Sequence, residues 1–448
     1  MPEGKMLNRR EFLKTATGTA AGAIVLPYII SSTAFGKGKK PAAGGRITMG
    51  CIGMGWMGTE NLKSFLKEND CHIVAVCDID GGHLNRAIKI VNNHYGNKDC
   101  KGYHDFRELT AREDIDTLSI ALPDHWHAIP AVEAARAGKD IYGEKPLSHS
   151  LYEGRAICDA VKKYGRIWQT GSWQRSLTNF RRGCELVRNG CIGKVHTVEI
   201  GLPSGNIVFR QFAGLDAFKS IEQLSRTTAV PKGLDYERWL GPAPYADYSP
   251  ARVHVHWRWN FDYGGGQLMD WVGHHVDIAN WGLGMEDTGP AEVEGCGKYP
   301  RSGIWNTPET YRVTAKYANG VNMIVAGGDS KIKSGTKWIG EKGWVRVDRG
   351  DKIETNPAKL VKEKFSNKDI NLFQSPGHYR NFLDCVKTRE TAIAHCEAAH
   401  RAATVGHLGN IAMKLGRKIR FNPATEQIEN DSAASQMLGN AMRSPWHL

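Results

Sequence analysis

The stretch "RITMGCIGMGWMGTENLKSFLKENDCHIVAVCD", residues 46–78, decides the fold. A short apolar run, Ile47 to Ile52, breaks into Gly53-Met54-Gly55-Trp56-Met57-Gly58, continues with helical spacing, and returns to a β-branched run that stops at Asp78. At a strand-to-helix junction each glycine of a G-x-G-x-x-G has its own task. The first permits the tight turn, the second lets backbone approach a pyrophosphate, and the third lets the helix pack closely, so that phosphate rests on the helix N-terminus. Asp78 lies twenty residues beyond Gly58, where an acid takes both ribose hydroxyls of NAD and repels the 2′-phosphate of NADP. NAD is therefore the expected cofactor and NADP the poorer one, held by residues 53–58 and Asp78.

Outward from this stretch the chain keeps alternating. "GHLNRAIKIVNNHY" reads as helix, "DTLSIAL" as strand, "AIPAVEAARAG" as helix, "DIYG" as strand, "LYEGRAICDAVKKY" as helix and "RIWQTG" as strand. That order predicts an α/β fold with a parallel, doubly wound sheet. From about Lys194 the pattern changes to "KVHTVEIGLP", a Gly-, Pro- and Trp-rich segment to about Phe261, a helix around Gln267 to Trp281, and runs joined by "ANG" and "EKG" turns. These predict a large open, mostly antiparallel sheet in an α+β domain. Helices "HYRNFLDCVKT" and "EAAHRAATVGHLGNIAMKLG" follow, and could pack back on the first domain. The expected division is 1–34, a leader; 35–45, a linker; 46–170, the dinucleotide-binding domain; and 171–448, the substrate-binding and oligomerisation domain.

Composition narrows the function classes. The 448 residues, 41% hydrophobic and 24% charged, have ample material for a core. The net charge of +12 is spread among acidic residues rather than blocked, which argues against a nucleic-acid partner. Arg9 and Arg10, followed by Phe12, Leu13, Lys14 and a moderately apolar stretch ending in small residues at Ser32 to Ala34, resemble a bacterial twin-arginine export signal. That stretch is interrupted and short for a bilayer span, so no stable membrane span is expected once it is cleaved. Ten cysteines without a CxxC pair predict neither a disulfide framework nor a structural metal.

Two clusters carry chemistry. Lys145, in "IYGEKPLS" (residues 141–148), stands at the C-terminal lip of a buried strand, where an unpaired ammonium would be costly. It either pairs with Glu144 at the surface or has a partner elsewhere. In "FDYGGGQLMDWVGHHVDIANW" (residues 261–281), Asp270, His274 and Asp277 fall at i, i+4 and i+7, on one face of a helix. Three ionisable groups flanked by Trp271 and Trp281 suit a lined cavity, although a solvated helix face is the plainer alternative. Metal-ligand spacing is lacking, and no metal is expected.

The glycine motif with Asp78, "PDHWHA", "GEKP" and "GGGQLMDWVGHHVD" together resemble the glucose-fructose oxidoreductase, inositol dehydrogenase and rhizopine catabolism (Gfo/Idh/MocA) family, from about Arg46 to the end. The resemblance implies an oxidoreductase acting on CH–OH groups of a sugar, sugar derivative or cyclitol. It places Lys145 beside the nicotinamide and the reacting hydroxyl, Asp270 and His274 on the facing helix, and His274 as the proton acceptor or donor. Pro123, Asp124, His127 and Glu144 would join the cofactor site, with Asp124 where many members carry Asn. His125 and Trp126 would line that pocket or merely cap the next helix.

Trp173, Arg175, Arg258 and His275 join Asp270 and His274 as substrate candidates, with Trp257 and Trp259 suited to stack on sugar faces. His275 beside His274 complicates the choice of catalytic histidine, and the insertion from about Leu202 to Asn260 prevents transfer of substrate specificity. An exported member would keep NAD(H) tightly bound, because free NAD is scarce outside the cytoplasm. Alternatives are a redox-neutral glycosidase working through a transient keto-sugar, and a nucleotide-binding protein without chemistry. A periplasmic homodimer or homotetramer is implied.

Overall fold

The computed structural model describes residues 43–207 and 220–448, of which Ile47–Leu448 form one compact unit. The twin-arginine stretch and most of the expected linker lie outside the described residues. Among the described residues no helix is long and apolar enough to cross a membrane.

The first half alternates as its sequence predicts. It runs β1 (Ile47–Ile52), α1 (Trp56–Phe65), β2 (Cys71–Cys77), α2 (Gly81–Tyr95), β3 (Lys101–Tyr103), α3 (Phe106–Thr110), β4 (Thr117–Ile120), α4 (Ala128–Arg136), β5 (Asp140–Gly143), α5 (Leu151–Lys163) and β6 (Trp168–Thr170). The six strands form one parallel sheet in the order β3-β2-β1-β4-β5-β6. β4 and β5 are buried along their whole length, as strands covered by helices on both faces must be. The strand order reverses between β1 and β4, which opens a crevice at the carboxyl ends of those strands. β3 escaped the sequence reading because its three residues are largely exposed and carry no alternation.

The second half contains α6 (Thr178–Arg188), β7 (Val195–Leu202), α7 (Ile221–Leu224), α8 (Tyr236–Leu240), α9 (Gly266–Trp271), a π turn over Val272–Val276, α10 (Asp277–Leu283), and strands β8 (Glu292–Lys298), β9 (Thr310–Lys316), β10 (Asn322–Gly327), β11 (Gly335–Gly340), β12 (Gly343–Asp348) and β13 (Lys352–Asn356). α11 (His378–Thr388), α12 (Cys396–Leu415), β14 (Ile419–Asn422), β15 (Gln427–Ile428) and α13 (Ser432–Gln436) complete it. Nine strands pair in the order β13-β12-β11-β7-β10-β9-β8-β14-β15, antiparallel except for β7 beside β10. Tyr311, Val313 and Ala315 of β9 point into the core while Arg312 and Lys316 are exposed, the alternation of a sheet covered on one face. Val198, Val313, Met323 and Trp338 pack there against Leu268, Val272 and Leu408 from the covering helices.

α12 belongs to both halves. It packs on α5 and on β8, and Arg155 of α5 reaches Glu397 at 2.8 Å and Glu426 at 2.6 Å. All ten cysteines are free, with Cys158 of α5 and Cys396 of α12 placing their sulfurs 3.0 Å apart.

One expectation is corrected. The helix around Gln267 to Trp281 runs unbroken over residues 266–283, but its Val272–Val276 turn is a π turn, wider than an α turn, which changes the angular spacing of the residues beyond it. Asp270, His274 and Asp277 therefore do not share one face.

Candidate active site

A cavity of about 400 Å³ opens at the crevice between β1 and β4. Gly53, Gly55, Trp56 and Met57 form one wall, and Asp78, Pro123, Glu144 and Lys145 line it as well. Gly53 adopts a positive φ of 83°, and a Cβ there would lie 2.2 Å from the Ala121 carbonyl oxygen. At Gly58 a Cβ would come within 1.7 Å of the Gly53 oxygen, so only glycine lets α1 approach β1. Gly55, at the N-cap of α1, has open space in front of it and no side-chain cap, which leaves the first N–H groups of α1 facing the cavity. This cradle fits a pyrophosphate.

Asp78 is braced at the end of β2. Its Oδ2 accepts the Met54 N–H at 2.6 Å and its Oδ1 the Asp80 N–H at 2.8 Å. Met54 is thus a buried backbone partner of Asp78 rather than a wall of the cavity, and Gly58 acts through packing. Glu144 accepts a hydrogen bond from Asn61 Nδ2 at 2.9 Å, and burial raises its pKa.

The insertion supplies a wall that the sequence did not reveal. Leu234, Arg238, Trp239, His254 and Trp257 line the same cavity. They are fastened to the Rossmann lip through backbone, Gly81 N–H to the Gly233 carbonyl at 2.9 Å and Asp235 N–H to the Ile79 carbonyl at 3.2 Å. Trp126 donates its indole N–H to the Trp239 carbonyl at 2.9 Å, His125 Nε2 stands 3.0 Å from the same oxygen, and Trp126 lines the cavity. Asp80, His83 and His254 place ligand-type atoms within 4.8 Å of one another and could hold a metal ion. No sequence spacing signals that trio, since His254 arrives from the insertion.

Lys145 finds its partner across the fold. Its Nζ lies 2.9 Å from Asp270 Oδ1 and 2.8 Å from the Asp270 carbonyl oxygen, and Arg258 Nε donates to the same Oδ1 at 2.9 Å. Burial alone would raise the Asp270 carboxyl, yet the two cations hold it well below the usual carboxylate range. Gly273 allows the approach, because a Cβ there would stand 2.7 Å from Lys145 Cβ. His274 is buried, its Nδ1 has no hydrogen-bond partner among the described residues, and burial, Lys145 and Arg349 push its pKa well below the ordinary histidine value. Trp271 and Trp173 flank it edge-on, with ring centroids at 5.5 and 6.2 Å.

Several candidates fall elsewhere. Arg175 is 2% exposed and spends its donors on Asp277 at 2.6 and 2.8 Å, Glu286 at 2.6 Å and the Ile393 carbonyl, so it is a structural cation. The π turn has swung Asp277 toward it and away from Lys145. His275 is fully buried, stacked on Trp271 at 5.6 Å and bonded through its carbonyl to Thr336, and does not line this cavity. Trp259 is likewise core.

Asp124 is buried behind Pro123, where burial lifts its pKa well above the carboxylate range. His127 sits behind the wall too, its two nitrogens 2.7 and 2.8 Å from the Pro146 and Leu122 carbonyls; it steadies the strand ends rather than touching the cavity. Arg349, which the sequence did not suggest, stands over both Trp173 and Trp271.

Replacing Arg175 by Met leaves Asp277 buried without its cation and is expected to cost about 3–5 kcal/mol of stability. Denaturant unfolding should record that loss while bound nucleotide per folded protein stays unchanged; a stable variant with weakened substrate affinity would return Arg175 to the substrate site.

Two family models match the chain: "Oxidoreductase family, NAD-binding Rossmann fold" over residues 47–172, and "Oxidoreductase family, C-terminal alpha/beta domain" over residues 185–448. A glycosyl hydrolase family 109 protein of Shewanella pealeana is 32% identical over 207 residues, a match spanning 42% of this chain and 44% of that protein. Among solved structures, the aldose-aldose oxidoreductase of Caulobacter crescentus superposes with a TM-score of 0.58 at 18% identity, covering 84% of this chain and 100% of that one. The scyllo-inositol dehydrogenase of Lactobacillus casei, solved with NAD(H) and scyllo-inositol, gives a TM-score of 0.57 at 14% identity, covering 84% and 99%. These likenesses establish the fold, and the family models establish more: with an NAD-binding Rossmann domain followed by the matching α/β domain, the chain belongs to the Gfo/Idh/MocA oxidoreductase family.

Proposed function

We propose that the protein oxidises or reduces a hydroxyl-bearing carbon of a sugar, sugar derivative or cyclitol with NAD(H) that it retains through the cycle. The observation that carries this reading is the 2.9 Å contact of Lys145 with Asp270, which sets an ammonium at the inner end of the dinucleotide cleft beside a neutral histidine. NAD(H), held by the Gly53–Gly58 cradle and Asp78, supplies the hydride acceptor or donor when bound.

The chain's own groups manage charge and proton. Lys145 offers N–H donors to a substrate oxygen and steadies negative charge that develops there, an effect strengthened by its half-dry setting. His274, kept neutral, takes or returns the hydroxyl proton. Asp270 makes no hydrogen bond to His274. It anchors Lys145 and Arg258, and so fixes where the ammonium points.

Removing the lysine charge has a readable consequence. His274 acts as base only when neutral, and its folded pKa is depressed, so the acid limb of kcat/KM for oxidation should lie below the ordinary histidine range. In Lys145→Met one cause of the depression is gone, and the limb should move to higher pH with a lower plateau. A limb that stays in place would remove His274 from the proton step.

A second reading is a redox-neutral glycosidase passing through a transient keto-sugar, favoured by the partial match to family 109 glycosyl hydrolases. The Arg9-Arg10 pattern supports export by the twin-arginine route to the periplasm, and the exposed face of the nine-stranded sheet supports a homodimer or homotetramer. One preparation tests these together. Protein from the periplasmic fraction, never given nucleotide, should release near-stoichiometric NAD(H) on denaturation and turn over sugars or aryl glycosides without added NAD. Net product oxidation matched by reduction of a second sugar marks the oxidoreductase, whereas aglycone release without net redox marks the glycosidase. Empty protein that fails to bind added NAD would overturn both, and Arg9-Arg10→Lys-Lys protein still reaching the periplasm would overturn the export route.

A further inference from the structure

Arg349 follows the last residue of β12 and ends against the helix that carries His274. Its guanidinium carbon lies 4.4 Å from the Trp271 ring centroid and 4.8 Å from that of Trp173, the same two indoles that flank His274. Arg349 is half-buried; its Nε is cut off from solvent and meets no acceptor among the described residues, and a buried N–H without one is costly.

The neighbouring carboxylates are already engaged. Asp348 accepts the Arg349 backbone N–H at 2.8 Å, lies 3.2 Å from Arg346 and takes the Ser334 hydroxyl. Asp270 is shared by Lys145 and Arg258 at 2.9 Å each. The reacting end of the site therefore holds three cations, Lys145, Arg258 and Arg349, around the single low-pKa carboxylate of Asp270.

We propose that Arg349 binds the carboxylate of the substrate, and that the substrate class is a hexuronic acid or its glycoside. The inference rests on the oxidoreductase reading of this site and deepens it. With its carbon over two indoles, the guanidinium offers donors along its edge. A planar carboxylate meets such an edge with two parallel N–H···O bonds. The indoles hold the arginine rigid beside His274. The role is one of recognition, with Lys145 and His274 left to the reaction itself.

The test uses the purified holoenzyme and matched pairs: D-glucose with D-glucuronate, D-galactose with D-galacturonate, and 4-nitrophenyl β-glucoside with 4-nitrophenyl β-glucuronide. Binding is read by quenching of tryptophan fluorescence, and turnover by reduction of the bound nicotinamide. The acid of at least one pair should bind about tenfold or more tightly than its neutral partner, the advantage a charge-assisted contact gives. Arg349→Met should erase that preference through KM with kcat changed less, and Arg349→Lys should restore part of it; both are checked for nucleotide content and melting temperature.

Neutral sugars bound as well as their acids, or an acid preference that survives in Arg349→Met, would overturn the assignment. The two readings separate cleanly. Arg349-dependent binding of an acid without any cofactor reduction keeps this proposal and removes the oxidoreductase reading, while turnover restricted to neutral sugars does the reverse.

Discussion

The ion pair of Lys145 with Asp270 is the interaction on which the site depends, because it is where the two sheets exchange chemistry. The lysine leaves the C-terminal lip of β5, and the aspartate leaves the last turn of α9. Their side chains are 11% and 17% exposed, so each charge has lost most of its water, and Lys145 with Arg258 holds the Asp270 carboxyl below the usual carboxylate range. Breaking such a pair leaves an uncompensated charge in a low-dielectric place, which costs far more than a surface pair returns. The domains are thereby held at one spacing, and Gly273 is small because any side chain there would push Lys145 away.

A second constraint acts on the cofactor. An open Rossmann crevice releases its dinucleotide readily, yet here the segment containing Gly233 to Trp257 is hydrogen-bonded along the lip and contributes side chains to the cleft. Trp446 closes it further, packing edge-on to Trp126 with centroids 4.7 Å apart. A cofactor covered on two sides by backbone-anchored segments dissociates only when those segments open, which accords with retention through many cycles.

The first sheet and the cofactor cradle were legible because their signals are local. Glycines at residues 53, 55 and 58 and an acid at Asp78 are demanded by backbone sterics and ribose chemistry, and both can be read from spacing. Lys145 was legible for a different reason: a charged residue at a buried strand end must have a partner. What lay beyond reach depended on tertiary detail. The π turn at Val272–Val276 has no proline or other marker, yet it sends Asp277, placed beside Asp270 and His274 by helical spacing, to Arg175, and both Arg175 and the buried His275 belong to the framework rather than to the substrate. His254 reaches the cleft, and Arg349 the two indoles beside His274, from loops far along the chain, and nothing in their neighbours announces a site. β14 and β15 are too short to show alternation, and they form only because α12 delivers them to the sheet edge.

The most direct test of this account is hydride transfer to the retained nicotinamide, followed by rapid-mixing absorbance after a sugar substrate is added to wild-type holoenzyme and to Lys145→Ala carrying equal nucleotide. The account predicts fast reduction in the wild type and a loss of at least about 100-fold in the variant, the scale on which a preorganised donor acts. Equal rates in the two proteins would contradict it, and would separate the Lys145–Asp270 pair from the chemistry it has been assigned.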